Sequence, residues 1–416
     1  MSSKLAPLRG MKDLLPDEFL VHQHIEKTAL RVAELYDYNA ISTPLLESVS
    51  VFDRTLGDTS DVVSKEMYDF QDKKGRNIAL RPEFTAGVIR AFISNGLKQQ
   101  LPQKLFSSGP LFRYDRPQEG RQRQFHQLNC EYIGARGAYS DAETISLASS
   151  ILDKLDILND TKLELNSLGC MNSKENYQQA LREYFTKYRD DLSEDSKNRI
   201  EKNPLRILDS KSEADKKISA SALDIAKYYT KDSLEYFDNV KSYLEKLGVK
   251  YVVNPRLARG MDYYSHTIFE FITSKLGSQG TVLAGGRYDS LLSMMGESED
   301  IPSIGFAAGV ERIALMGNFN PKKRRTNVII PVGDDAHDYA VNTASLLRGN
   351  DICVSLELSG GKMTKRVQSA VAMNARFIIF LGSDEVGSST YKVKDLDSAI
   401  EKKLGKTELL DLLHKR

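Results

Sequence analysis

Cysteine is scarce, and its placement excludes more than its number does. Cys130, Cys170 and Cys353 stand far apart in a chain of 416 residues, so neither a disulfide framework nor a CxxC metal site is indicated. A reducing, cytoplasmic setting is the simplest expectation. No stretch approaches the ~18 uninterrupted apolar residues of a membrane helix, so no membrane partner is expected. The N-terminus, MSSKLAPLRGMKDLLPDE, lacks an apolar signal core, and its acidic residues argue against a transit peptide. A surplus of charge of one sign is lacking too: 58 Lys and Arg against 57 Asp and Glu leave +1. That excludes a wholesale basic nucleic-acid coat, but not a local basic surface.

Two phosphate-binding signatures are also missing. In 358-LSGGKMT-364, Met363 replaces the Ser or Thr of a Walker loop, and position 356 is not glycine. No G-x-G-x-x-G follows a strand-like run, so a dinucleotide fold has no support.

What is present changes character along the chain. Residues 1–168 mix amphipathic helical stretches with short β-rich runs. Between Gly169 and Gly248 there is no glycine, and Tyr177, Leu181, Tyr184 and Tyr188 recur at helical spacing. That span reads as a helical insertion, with the aromatic stripe as core. Residues 251–315 return to β-rich sequence with glycine-dense turns such as LAGGRYD. Beyond 322-KKRR-325, a basic run that reads as a solvated linker, apolar runs at 327–333, 352–358 and 376–382 alternate with helix-like segments at about 335–348 and 363–374. That is the pattern of βαβ units and a parallel or mixed sheet.

The chemistry-bearing residues are arginines. The stretch 112-FRYDRPQEGRQRQFHQ-127 holds Arg113, Arg116, Arg121 and Arg123, and Arg81, Arg259, Arg287 and Arg312 lie in other β-rich contexts. Four guanidinium groups so close together repel unless paired carboxylates, here Asp115 and Glu119, or a bound anion sit between them. Arginine's planar fork grips phosphate oxygens in pairs and keeps its proton. Interleaved Glu83, Glu131, Asp262, Glu270 and Glu311 anchor such forks, or bind a substrate ammonium or a metal. Together they describe a site for a polyanion and a zwitterion. His126 reads as structural, and neither it nor His266 is assigned a catalytic role.

Several blocks carry a resemblance over nearly the whole chain. The opening 9-RGMKDLLP-16, 43-TPLLE-47 as motif 1, the arginine stretch through Glu131 as motif 2 and 302-PSIGFAAGVERI-313 as motif 3 resemble class II aminoacyl-tRNA synthetases. The blocks 257-LARGMDYYSHTIFEF-271 and 284-AGGRYDSL-291 narrow the resemblance to the histidine–tRNA ligase family. It implies an α+β catalytic domain over 1–322, with an antiparallel sheet flanked by helices and a helical insertion near 169–248. A C-terminal α/β anticodon-binding domain over 326–416 is implied as well. The implied substrates are L-histidine, ATP and tRNA(His), with Mg2+ bound to the phosphates and no metal site from a protein motif. Pro44 implies a homodimer.

Residue roles follow from the same resemblance. Arg113 is implied to grip the ATP α-phosphate, Arg121 and Arg312 the γ-phosphate, and Arg259 both the substrate carboxylate and the α-phosphate. Glu83, Thr85 and Gln127 are implied to bind the histidine ammonium. Glu131 and Tyr264 bracket the imidazole, while Tyr288 and Tyr263 complete the pocket wall. Arg116 and Gln118 are implied tRNA contacts. Phe84 stands where the family often has glycine, and Glu119 where a small or basic residue is usual. A histidine-binding regulator related to the catalytic domain is the nearest alternative, but such proteins usually lack the second domain and the catalytic arginines. The chemistry agrees with the residues. A carboxylate attacking phosphorus is already ionised, so it needs cations rather than a general base.

Overall fold

Alternation along two strands decides where polar and apolar side chains go. In a computed structural model describing residues 5–56, 62–208, 210, 212–258, 263–277 and 280–414, strand Gln124–Ile133 pairs antiparallel with Gln103–Phe112 on one side and Ser303–Gly309 on the other. Leu128 and Cys130 point into a core shared with Ile304, Phe306 and Ala308. Because side chains alternate, Gln127, Asn129 and Glu131 share the opposite face with Gly305, Ala307 and Gly309. One face is therefore oily and helix-covered, and the other is polar and floored by small residues.

The sheet continues through Thr281–Arg287, Ser265–Ile272 and Lys162–Ser167, all antiparallel. Two-residue strands, Asn39–Ala40 and Val252–Val253, add parallel edges. Helix Pro16–Glu34 begins with Pro16, Asp17 and Glu18, a start that suits the missing N–H and the positive helix end. It buries Ile25, Ala29, Val32 and Ala33 against helix Gly137–Lys154 and the sheet. A small sheet of Leu46–Ser48, Asn77–Leu80 and Tyr68–Gln71 stands apart from the large one.

Between Gly169 and Gly248 lie helices Met171–Thr186, Glu194–Lys202, Glu213–Ser219 and Lys231–Lys246. Tyr177 and Leu181 are core, as the stripe predicts, but Tyr188 is 41% exposed. The helix ends at Thr186, so its buried face finishes with Phe185 instead.

The chain divides into two compact units, Met1–Asn320 and Pro321–Arg416. The second has parallel strands Val354–Leu356, Thr326–Pro331 and Ala375–Leu381, extended by antiparallel Tyr391–Asp395 and Glu401–Leu404. Val328 and Ile330 bury on one face of the central strand and Ile329 on the other, as a doubly covered parallel sheet requires. Arg325, read above as part of a solvated run, pairs with Asp397 at 2.6 Å and donates to the Ala375 carbonyl at 2.9 Å. Among the described residues no helix is long and apolar enough to cross a membrane.

Candidate active site

The polar face opens into a cavity of about 600 Å³. Its floor is Gln127 and Asn129 with Gly305, Ala307 and Gly309, and its walls include Glu83, Thr85, Arg113, Arg121, Arg312, Tyr263, Tyr264 and Tyr288. Residues spread over some two hundred positions of sequence thus meet because strands from both ends of the unit are neighbours in the sheet.

One end is anionic and buried. Glu131 is wholly buried behind the floor, where its carboxylate accepts from Thr85 Oγ1 at 2.5 Å, Asn129 Nδ2 at 2.8 Å and the Tyr288 hydroxyl. Burial raises its pKa to about 7, against the lowering effect of those three donors. Gly305 makes room for it, since a Cβ there would fall 1.8 Å from Glu131 Oε2. Glu83 accepts backbone N–H groups of Thr85 and Ala86 at 2.6 and 2.7 Å, at the start of helix Thr85–Ser94. Burial raises its pKa despite those bonds. The rings of Tyr263 and Tyr264 lie 4.7 Å apart, and Tyr263 meets Tyr288 edge-on at 5.7 Å.

The other end is cationic. Arg113 donates from Nε to the Pro82 carbonyl at 2.8 Å, and Arg312 from Nη1 to the Thr281 carbonyl at 2.6 Å. Arg121 pairs with Asp115 and lies 3.6 Å from Glu66. Burial lowers the pKa of Arg312 most, and the nearness of Arg121 and Arg113 lowers it further. Three guanidinium groups therefore converge on one wall at an electrostatic cost that an anion would relieve.

Other arginines from the sequence set leave it. Arg81 is buried, with Nη1 donating to the Thr43 carbonyl at 2.9 Å and its fork 4.4 Å over the Phe84 ring. Arg287 is buried in an ion pair with Asp141. Both are structural. Arg123 sits 3.7 Å over Tyr114 and donates to the Asp115 carbonyl. Arg116 and Gln118 are exposed on the turn between the two motif 2 strands, closed by reciprocal backbone bonds of Gln118 and Arg121. Arg259 and Asp262 lie outside the described residues. His126 donates its backbone N–H to Glu311 and bonds it again through Nδ1 at 3.0 Å.

Asn129 escaped the sequence reading, although its period-two spacing from Gln127 and Glu131 places all three on one strand face. Ser210 and Lys216, from the helical insertion, also line the cavity, and no local pattern marks them.

Residues 10–313 match the family model of histidyl-tRNA synthetase. The chain belongs to the histidyl-tRNA synthetase family. Residues 327–416 match the model of an anticodon binding domain. The chain is 56% identical to a histidine–tRNA ligase of Rickettsia bellii (strain RML369-C) and 55% identical to one of Rickettsia felis (strain ATCC VR-1525 / URRWXCal2), each over 415 residues, with 100% of both chains covered. Among solved structures, apo histidyl-tRNA synthetase from S. aureus superposes with a TM-score of 0.83 at 30% identity, covering 99% of this chain and 100% of that one. Histidyl-tRNA synthetases are ligases of the class II aminoacyl-tRNA synthetases, for which ATP is a substrate, and the antiparallel sheet described above is their catalytic scaffold.

Proposed function

We infer that this chain activates L-histidine with ATP and transfers it to the 3′ end of tRNA(His). The observation that carries the reading is polarity: three arginines on one wall of the cavity, and at its other end Glu83 with tyrosines, backed by the buried Glu131 behind the floor. Arg113 holds the α-phosphate, while Arg121 and Arg312 hold the γ-phosphate. The histidine carboxylate, already ionised, attacks the α-phosphorus as the bond to pyrophosphate breaks. The arginines absorb the charge that develops, and orientation supplies much of the remaining rate.

Glu83 has lone pairs left after accepting two N–H groups, so with Thr85 and Gln127 it receives the substrate ammonium. Glu131 and Tyr264 take the two imidazole nitrogens. Tyr288, which donates to Glu131, positions that carboxylate, and Tyr263 packs the wall. An analogue without ring nitrogens would forfeit the bonds to Glu131 and Tyr264 in a buried site, which discriminates strongly. Arg259 carries its role on the carboxylate and the α-phosphate by resemblance. Mg2+ would come with the triphosphate and neutralise phosphate charge there, and Glu270, within electrostatic reach of Arg312, is the carboxylate that would hold it. In the second step the ribose hydroxyl of tRNA attacks the adenylate carbonyl and AMP leaves. The exposed Arg116 and Gln118 contact the tRNA acceptor end.

Residues 1–322 act as the catalytic domain, with an insertion at 169–248, and 326–416 read the anticodon. Pro44 lies beside exposed Leu45 and Leu46, a surface that suits a homodimer interface. A cytoplasmic location accords with the three free thiols. The test is pyrophosphate exchange across the standard amino acids. Exchange that requires histidine and magnesium is expected. Equal exchange with several amino acids, or none with histidine, overturns the reading.

A further inference from the structure

We propose that His22, His126 and Glu311 bind one divalent transition-metal ion, with zinc the best match to the donors, at a site beside the catalytic cavity. The three come from different elements: helix Pro16–Glu34, strand Gln124–Ile133 and helix Val310–Met316. One ligand atom from each lies within 4.8 Å of the others. His22 is 6% exposed, yet among the described residues its Nδ1 has no hydrogen-bond partner. An imidazole nitrogen buried without a partner costs free energy that a bond to an ion would recover. The rings of His22 and His126 meet edge-on at 5.2 Å.

The surrounding charges favour a cation. Glu26 stands one helical turn beyond His22, on the same helix face, and its carboxyl feels both His126 and Glu311. Lys12 also lies near, but it pairs with Glu18 at 3.1 Å. Burial lowers the pKa of His22 most, while Glu311 opposes the effect. A neutral ring keeps the lone pair that ligation needs. Two imidazoles and a carboxylate form a donor set suited to zinc rather than to magnesium or calcium, which take oxygen ligands. Zinc–nitrogen bonds of about 2.0–2.1 Å set tetrahedral donors about 3.4 Å apart. Separations within 4.8 Å therefore need to close by at most about 1.4 Å, within the reach of side-chain rotation. A second cavity, of about 330 Å³, is lined by both His22 and Glu311 and gives a route for the ion and room for a water ligand. On ligation the His126–Glu311 hydrogen bond is replaced by bonds to the ion, and the His126 proton moves to its other ring nitrogen. An occupied site ties the first helix to motifs 2 and 3 immediately beside Arg312.

The experiment uses the full chain, stripped with chelator and free of ATP, titrated with Co2+ and then with Zn2+. Expected are one equivalent of Co2+ with the visible absorption of a tetrahedral nitrogen and oxygen site, and its displacement by Zn2+. His22→Ala should weaken binding more than about a hundredfold, exceeding the ~10–100-fold loss typical of groups that only support a ligand. Glu26→Gln should weaken it by about tenfold. His22→Gln serves if the alanine variant does not fold. No saturable binding by the wild-type chain overturns the site. So does a thiolate-to-cobalt band, which would place the ion on a cysteine, or unchanged affinity in a folded His22 variant.

Discussion

Arg287, at the end of strand Thr281–Arg287, and Arg113, just past strand Gln103–Phe112 of the same sheet, are the same residue type and serve opposite ends. Arg287 is 2% exposed and saturated. Its Nε meets Asp141 Oδ1 at 3.0 Å, and its Nη1 meets Asp289 at 2.9 Å. Thr267 and Tyr236 hydroxyls complete the Asp141 carboxylate at 2.5 and 3.2 Å. Burial alone would weaken its cation, but Asp141 overrides this and raises its pKa. Arg113 is also weakened first by burial, with Glu66 and Glu83 opposing and Arg121 adding repulsion. Arg287 has its anion inside the fold. In the Arg113 group, three forks share a cavity wall with carboxylates set around them, Asp115 and Glu66 by Arg121 and Glu66 and Glu83 by Arg113, and mutual repulsion among the forks persists. The difference teaches that arginine count says little, whereas electrostatic completeness separates framework from site.

The largest expected effect tests the framework half. Arg287→Ala leaves Asp141 charged, buried and unpaired, and breaking such a pair costs roughly 3–5 kcal/mol. Urea denaturation should show the loss in the midpoint. If stability is unchanged while histidine activation disappears, Arg287 belongs to the site and the contrast fails.

Next comes the site half. Arg113→Ala should lower the adenylation rate about 10²–10³-fold, or about 2.7–4 kcal/mol, the scale of one preorganised charge-stabilising donor. Stability should change far less. Single-turnover pyrophosphate exchange with a matched denaturation curve measures both. A raised Michaelis constant with turnover intact would make Arg113 a ground-state binding residue.

This contrast was only half legible in the sequence. The motif 2 stretch was legible as one block because its patterning is local: Gln127 and Glu131 share a face of strand Gln124–Ile133, and Arg113 and Arg121 lie in the segment joining it to Gln103–Phe112. The βαβ pattern of the C-terminal unit was legible for the same reason. That Arg287 would find Asp141, 146 positions away in sequence, was not, since no local signal encodes a tertiary partner. The stripe through Tyr188 misled because periodicity does not mark where a helix stops. Ser210 and Lys216 reach the cavity only through the packing of the insertion.

The smallest effect sharpens the comparison at the anionic end, where completeness is deliberately partial. Glu131 is held near a pKa of about 7 because burial outweighs the donors Thr85, Tyr288 and Asn129. Tyr288→Phe removes one donor to the ionised form, so that pKa must rise. Ionised Glu131 is the form that accepts an imidazole N–H, and kcat/KM for histidine should therefore increase with pH through the neutral range. In Tyr288→Phe that rise should move upward by roughly half to one pH unit, the equivalent of about 1 kcal/mol for one hydrogen bond. The substrate imidazole titrates nearby, at about 6.5, but identically in both proteins, so the displacement belongs to Glu131. Stability must follow the same sign. A carboxyl whose folded pKa is raised binds its proton more tightly when folded, so its contribution is present below the ordinary carboxylate range and is lost as pH rises to about 7. The variant should extend that loss to higher pH. If its pH profile moves downward, or stays put while kcat/KM falls uniformly, the Tyr288 hydroxyl acts on the substrate directly and does not set the charge of Glu131.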